Sequence, residues 1–253
     1  MIKWLNDPLN WTMSGGILDQ LRSHLVYSLI ALAIALVLAL PAGLLIGHTG
    51  RGRWIISTAN AVRALPVVGL LILLYVALSP HIHSRGSSPY LIPTETVLVL
   101  MAIPPILSST YAGVENVDPA VRDAAAGMGM RGGQVVRQVE FPNALPLIFS
   151  GFRSAALQVI ATATVAAYLG LGGLGRFVYD GQASQDHAMR DAGALLVALL
   201  AVAVDVTLSL AQRFAVSRGV SGRFSRKSTS GPVGAAVTEA EKTAGAPPQA
   251  AAV

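Results

Sequence analysis

The run from His24 to Gly47 (HLVYSLIALAIALVLALPAGLLIG) contains no Asp, Glu, Lys or Arg. A helix needs about 20 predominantly apolar residues to cross about 30 Å of hydrocarbon, and this run supplies them. Four more candidates follow. Span two, Ile55 to Leu78, contains Arg63 and Pro66. Span three, Leu91 to Tyr111, is interrupted by Pro93, Pro104 and Pro105. Span four runs from Ala144 to Leu169 and span five from Ala192 to Phe214. Charged residues make up 12% of the chain, about half the 25% usual in soluble domains, which leaves too little polar surface to wet a globule. The expected fold is an all-α, polytopic membrane helix bundle of about five transmembrane helices.

Proline within a span is tolerated where neighbouring helices re-satisfy the freed carbonyls, so the kinked spans are expected inside the bundle. Lys and Arg in short loops set the orientation. Arg51 and Arg53 follow span one, Arg122, Arg131 and Arg137 follow span three, and Arg218, Arg223, Arg226 and Lys227 follow span five. With five spans these segments share one side, the cytoplasmic one. The other side holds Lys3 and Arg22, the His81 to Arg85 loop, and a loop from Gly170 to Asp191 whose Arg176 and Arg190 are offset by Asp180, Asp186 and Asp191. The chain is therefore expected to place its N-terminus outside and its C-terminus inside. Tyr27, Tyr75, Tyr90, Tyr111 and Tyr168 lie near span ends and Trp54 just before span two, as amphipathic rings favour the headgroup layer.

Three segments result: residues 1–23 outside, a membrane domain over 24–214, and a cytoplasmic tail over 215–253. From Ser228 the tail is rich in Ala, Gly, Pro, Ser and Thr, too poor in large apolar groups to offset chain entropy, and is expected to be disordered. The first residues include Asp7 and Asp19 and form no apolar signal-peptide core. The chain has no cysteine, which rules out disulfides and thiolate metal sites. Its net charge of +5 is spread between apolar spans and so reports orientation; no nucleic-acid partner is expected.

The stretch from Asn116 to Pro146 (NVDPAVRDAAAGMGMRGGQVVRQVEFPNALP) is far longer than a joint between two spans requires. Asp118 before Pro119 reads as an N-cap with proline at the first helical position. The run AVRDAAA forms a short helix, Gly127 and Gly129 break it, and Arg131 to Val139 forms a second short helix ending before Pro142. A helix, glycine turn and helix on the cytoplasmic face suit protein docking, because Ala and Gly let another backbone approach closely.

These residues resemble the EAA loop of binding-protein-dependent ATP-binding-cassette importer permeases. The family pattern is Glu-Ala-Ala, three residues, Gly, nine residues, Ile, one residue, Leu-Pro. Here Asp123, Ala124, Ala125, Gly129, Val139, Phe141 and Pro142 take those places, with Asp for Glu, Val for Ile and Phe for Leu. The resemblance implies a cytoplasmic coupling helix between spans three and four that inserts into an ATPase subunit. VDPAVRDAAAGMGM, the RALP from Arg63 to Pro66, and TATVAAYLGLGGLG are similar to the osmoprotectant subfamily, whose permeases serve uptake of glycine betaine, carnitine, choline or proline. The likeness runs from about Leu21 to Phe214. It implies a dimer with an identical or homologous permease, two ATPase subunits, an extracytoplasmic solute-binding protein and surrounding lipid as partners.

The chain has no G-x-x-x-x-G-K-[ST], and Lys3, Lys227 and Lys242 follow no such glycine run. The chain is therefore expected to be no enzyme and to bind no cofactor, with ATP and Mg on the partner ATPase. Arg63 and Asp205 stand within or near apolar spans, where a charge costs about 2.5–3.5 kcal/mol on insertion scales. Each is read either as a pathway charge or as a structural or snorkelling one. Gly170, Gly172, Gly173 and Gly175 read as a helix terminator or a flexible outer gate. His81 and His83 lack a third ligand, so no metal site is expected. Rival readings are a methionine or other small amino-acid permease, an ion-coupled transporter, and a membrane scaffold that docks a soluble partner.

Overall fold

The computed structural model describes residues 1–82 and 88–215. His83, Arg85, the basic segment from Arg218 to Lys227 and the tail from Ser228 lie outside those residues. Every described element is helical: α1 (Ile2–Leu5), α2 (Pro8–Thr12), α3 (Ile17–Thr49), α4 (Arg53–Val62), α5 (Val67–Leu78), α6 (Ser88–Glu115), α7 (Pro119–Gly127), α8 (Gly132–Val135), α9 (Phe141–Ala166), α10 (Gly175–Ala183) and α11 (His187–Ala215). Four helical stretches, Pro8–Thr49, Pro89–Glu115, Gly132–Leu169 and His187–Ala215, are long and apolar enough to span, and α4 with α5 makes up to a fifth.

The core lies where α3, α6 and α9 meet. Ala31, Ala35 and Ala39 face Leu98, Ala102 and Ile106, which face Ala155, Ala156 and Val159, all of them buried. Small residues set these distances. A methyl group added at Gly43 would stand 2.7 Å from Thr110 Cβ, and one at Gly47 would stand 2.7 Å from Val114 Cβ. Apolar lipid offers no hydrophobic reason for two helices to associate, so close backbone approach and van der Waals contact hold them together.

Span two corrects the expectation. Ile55 to Leu78 is not one helix; α4 and α5 bend by 94° at the break. Pro66 lacks an N–H and disfavours helical backbone at the residue before it, and it sits extended at φ −62°, ψ 118°. Ten-residue α4 and twelve-residue α5 rise only about 1.5 Å per residue, so neither crosses alone. Arg63 lies in the break and is exposed. Span three departs in the opposite sense: α6 runs unbroken over 28 residues through Pro93, Pro104 and Pro105. It packs against α3, α5 and α9, and the Ser108 hydroxyl donates to the Pro104 carbonyl at 2.6 Å.

The N-terminal segment is folded. Asp7 caps α2 by accepting from the Leu9 N–H at 3.0 Å, and Trp11 Nε1 donates to the Leu5 carbonyl at 2.7 Å. Trp4 meets Phe177 of α10 edge-on at 5.3 Å, so α1 and α2 cover the end where α10 and α11 pack. The glycines from Gly170 to Gly175 terminate α9 and place α10 against it: Gly170 takes φ +84°, and Gly175 lies against the Thr164 backbone with no room for a side chain. The expected Gly170 to Asp191 loop is thus largely helix.

Asp205 is ion-paired within the bundle. On α11 it pairs with both guanidinium arms of Arg153 from α9, the Nη2 bond being 2.6 Å. Removing one member leaves the other uncompensated, whereas removing both leaves two apolar helices in contact. Asp205→Leu and Arg153→Leu are each expected to lower the melting temperature in detergent, and the double variant to melt above either. A double variant that melts below both singles would show the pair acting elsewhere.

Candidate functional site

The loop between α6 and α9 is a compact helical unit. Asp118 Oδ1 accepts from the Ala120 N–H at 2.9 Å and Pro119 opens α7, as the Asp-Pro pair predicts. Gly129 takes φ +84°, left-handed backbone that favours glycine, and this stops α7. The Gln134 side chain then accepts from the Arg131 N–H at 2.8 Å to open α8. The second helix does not end before Pro142. It passes through a π-helical turn (Val136–Glu140) into α9, where Pro142 occupies the first turn, a position that needs no N–H. The Phe141 N–H reaches back to the Val136 carbonyl.

The predicted site residues divide between two surfaces. Asp123, Ala124 and Gly127 are exposed on α7, while Ala125 is buried against the unit. Val139, Phe141 and Pro142 are half-buried at the root of α9, and Phe141 packs with Val114, Ile148, Leu40 and Leu44. Those three therefore anchor the loop and do not share the open face. Gly127 differs from Gly129: its φ is ordinary, and a Cβ there would meet nothing within 4 Å. Nothing inside the chain requires glycine at 127.

Val121 and Met128 extend the open face, and the sequence reading passed over both. At spacings of three and four residues Val121, Ala124 and Met128 fall on one side of the helix, with Val121 45% and Met128 72% exposed. The readable signal was the pair of large apolar residues seven apart in a short, otherwise small-residue helix. An exposed methionine beside small residues suits a partner groove that must accommodate close contact.

Beneath α7 lies a buried charge cluster. The Glu140 side chain is 1% exposed, with Oε2 2.9 Å from His48 Nδ1 at the end of α3. Arg122 Nε stands 3.2 Å from Glu140 Oε1, an ion pair whose angle falls short of a hydrogen bond. Arg122 also donates to the Val114 carbonyl near the end of α6. Among the described residues no group of His, Cys, Asp or Glu could hold a metal ion.

Residues 35–220 match the family described as binding-protein-dependent transport system inner membrane components. The chain belongs to that family. It is a multi-pass permease subunit of an ATP-binding-cassette importer, a transport component. Its relatives include the glycine betaine/carnitine/choline transport system permease protein OpuCB of Bacillus subtilis, 30% identical over 83% of this permease and 94% of that protein. The osmoprotectant import permease protein OsmW of Salmonella typhimurium is 32% identical over 78% of this chain and 90% of its own. The carnitine transport permease protein OpuCD of Listeria monocytogenes is 31% identical over 80% and 87%. An inward-facing structure of the MetNI methionine transporter superposes with TM-score 0.69 at 20% identity, over 84% of this permease and all of that chain. At that identity the likeness shows the fold.

Proposed function

We propose that this permease imports a compatible solute of the glycine betaine, choline, carnitine or proline class, handed to it by a separate binding protein. The observation that carries this reading is the match, over most of each chain, to permeases named for glycine betaine, carnitine, choline or osmoprotectants in several bacteria. Two copies, or this chain and a homologous one, line the path. Two ATPase subunits dock on the open face of α7 around Asp123, Ala124, Gly127, Val121 and Met128. ATP and Mg bind those subunits, and the N-terminus faces outward with the α6–α9 loop in the cytoplasm. ATP binding draws the paired loops together and favours the outward-open state, and hydrolysis resets it. Residues 24–214 form the permease domain, and the tail beyond it has no assigned part.

The open face supports docking for a physical reason. A cytoplasmic helix that exposes Val121 and Met128 to water, and carries a glycine its own fold does not need, is shaped for something that covers it. Arg63, exposed at the break between α4 and α5, is read here as a charge that meets the path. Proteoliposomes holding the permease with its cognate ATPase and binding protein are expected to accumulate radiolabelled glycine betaine or choline, with ATP inside the vesicle on the loop side. Uptake of methionine without uptake of any quaternary-ammonium solute or proline overturns the substrate reading. Uptake that persists without the ATPase overturns the importer reading.

A further inference from the structure

A buried carboxylate is costly unless paired and hydrogen-bonded, and Glu140 is buried almost completely. Both its oxygens are engaged, one by His48 at the end of α3 and the other by Arg122 on α7. Glu140 itself closes the π-helical turn from which α9 starts. Arg122 reaches on to the Val114 carbonyl near the end of α6. One carboxylate therefore gathers α3, α7 and α9 directly, and α6 through its arginine. The other ring nitrogen of His48 lies against the loop, 3.3 Å from where a side chain would start at Gly132.

Little else grips α7. Ala125 is its one buried residue, and a buried methyl group carries little directional information. The charged contacts are directional. Arg122 turns inward to Glu140, and the next residue, Asp123, faces outward on the surface assigned to the ATPase. A buried ion pair is weak evidence for stability alone, since apolar replacements of similar volume often serve as well, and its best-attested use is to fix register. π-turns within α-helices concentrate at functional positions for a related reason: they re-aim a side chain that the regular helix would place elsewhere.

We propose that Glu140 is the positioning residue that passes movement of α7 to the membrane-spanning helices, holding α7 through Arg122 and α3 through His48. This rests on α7 being the ATPase contact. A push on the outer face of α7 is then delivered as a pull on the roots of α3 and α9, the two helices that form the core with α6.

The test uses the full complex in proteoliposomes and measures retained ATPase, ATP hydrolysed and solute moved in one preparation. With Glu140→Gln, which keeps the shape and removes the charge, ATPase is expected to co-purify at the native amount and hydrolysis to continue. Solute moved per ATP is expected to fall about tenfold or more. Glu140→Asp recovers part of that ratio. Arg122→Gln gives the same fall, and the double variant is no worse than either single because the two residues act as one unit. An unchanged ratio in Glu140→Gln overturns the proposal. So does a loss of uptake in proportion to lost ATPase, which marks Glu140 as structural only. If Glu140→Gln does not insert, His48→Ala carries the same ratio test, and an unchanged ratio there also overturns the proposal. A native permease that retains no ATPase defeats the docking reading itself and is recognised before any variant is compared.

Discussion

Gly127→Leu is expected to leave the permease folded and to stop transport. A side chain at 127 enters open space, with no atom within 4 Å of its Cβ and no positive φ to oppose it. Replacing glycine in a helix stabilises it by up to about 1 kcal/mol, so the melting temperature of the isolated permease should hold or rise. If the ATPase docks on α7 as proposed, it meets a leucine where glycine left bare backbone. Burying an ill-fitting side chain of that size costs about 1–3 kcal/mol or more, and about 1.4 kcal/mol is tenfold in affinity. Co-purified ATPase and ATP-dependent uptake should both fall by about one to two orders of magnitude. Asp123→Lys, which reverses the one charge at the centre of the open face, is expected to act the same way without altering the fold. A Gly127→Leu permease that retains its ATPase and transports normally removes α7 from the contact. Gly129 is the control: its φ of +84° makes any substitution strained, so a loss there reports on the turn and cannot separate folding from docking.

The legible parts of this protein were those set by local chemistry. Long apolar runs placed α9 within three residues at each end, but α11 starts five residues and α3 seven residues before the apolar runs do. Span length follows from bilayer thickness, and a helix can begin before it. The start of α7 was legible because Asp118 and Pro119 act on their own neighbours. Prolines misled in both directions for one reason. Pro66 stands where α4 buries no side chain, so nothing opposes the break. The three prolines of α6 stand in the most enclosed helix, where α3, α5 and α9 hold the backbone in line. The same side chain bends or does not bend a span according to its neighbours, which pattern alone does not supply. The first residues escaped notice as helices because α1 and α2 are one turn each and persist by packing Trp4 and Trp11 against what comes much later. Arg153 and Glu140 were passed over because each is a lone charge in sequence. Arg153 pairs with Asp205, 52 residues away, and Glu140 pairs with His48, 92 residues away, and with Arg122 on the far side of the glycine turn. Glu95 was missed likewise; it sits in α6 with both carboxyl oxygens buried and no hydrogen-bond partner among the described residues.

The bundle itself should fail at Gly151. This residue lies where α9 crosses α6, and a Cβ there would stand 2.6 Å from the Pro105 carbonyl oxygen and closer still to the Ser109 side chain. A carbonyl oxygen on a proline-containing helix cannot swing away as a lysine tip can, so the helices must part. Parting them strips contact from Ala155, Ala156 and Val159 on one side and from Ala102 and Ile106 on the other. No hydrophobic gain drives them back together within lipid. The cost of Gly151→Leu should therefore lie at or above the upper end of the about 1–3 kcal/mol typical of overpacking, roughly a hundredfold shift in population. Folded permease recovered from membranes should fall by more than tenfold. Gly151→Ala should show a smaller loss of the same kind: its methyl still meets the Ser109 Cβ and the Pro105 carbonyl, both fixed by the backbone, but brings no further bulk. Gly127→Leu in the same experiment should be recovered at the native level, so the two leucines separate a glycine needed inside the chain from one needed by a partner. Equal recovery of Gly151→Leu and the native protein would mean that α6 and α9 do not approach as closely as their small residues allow.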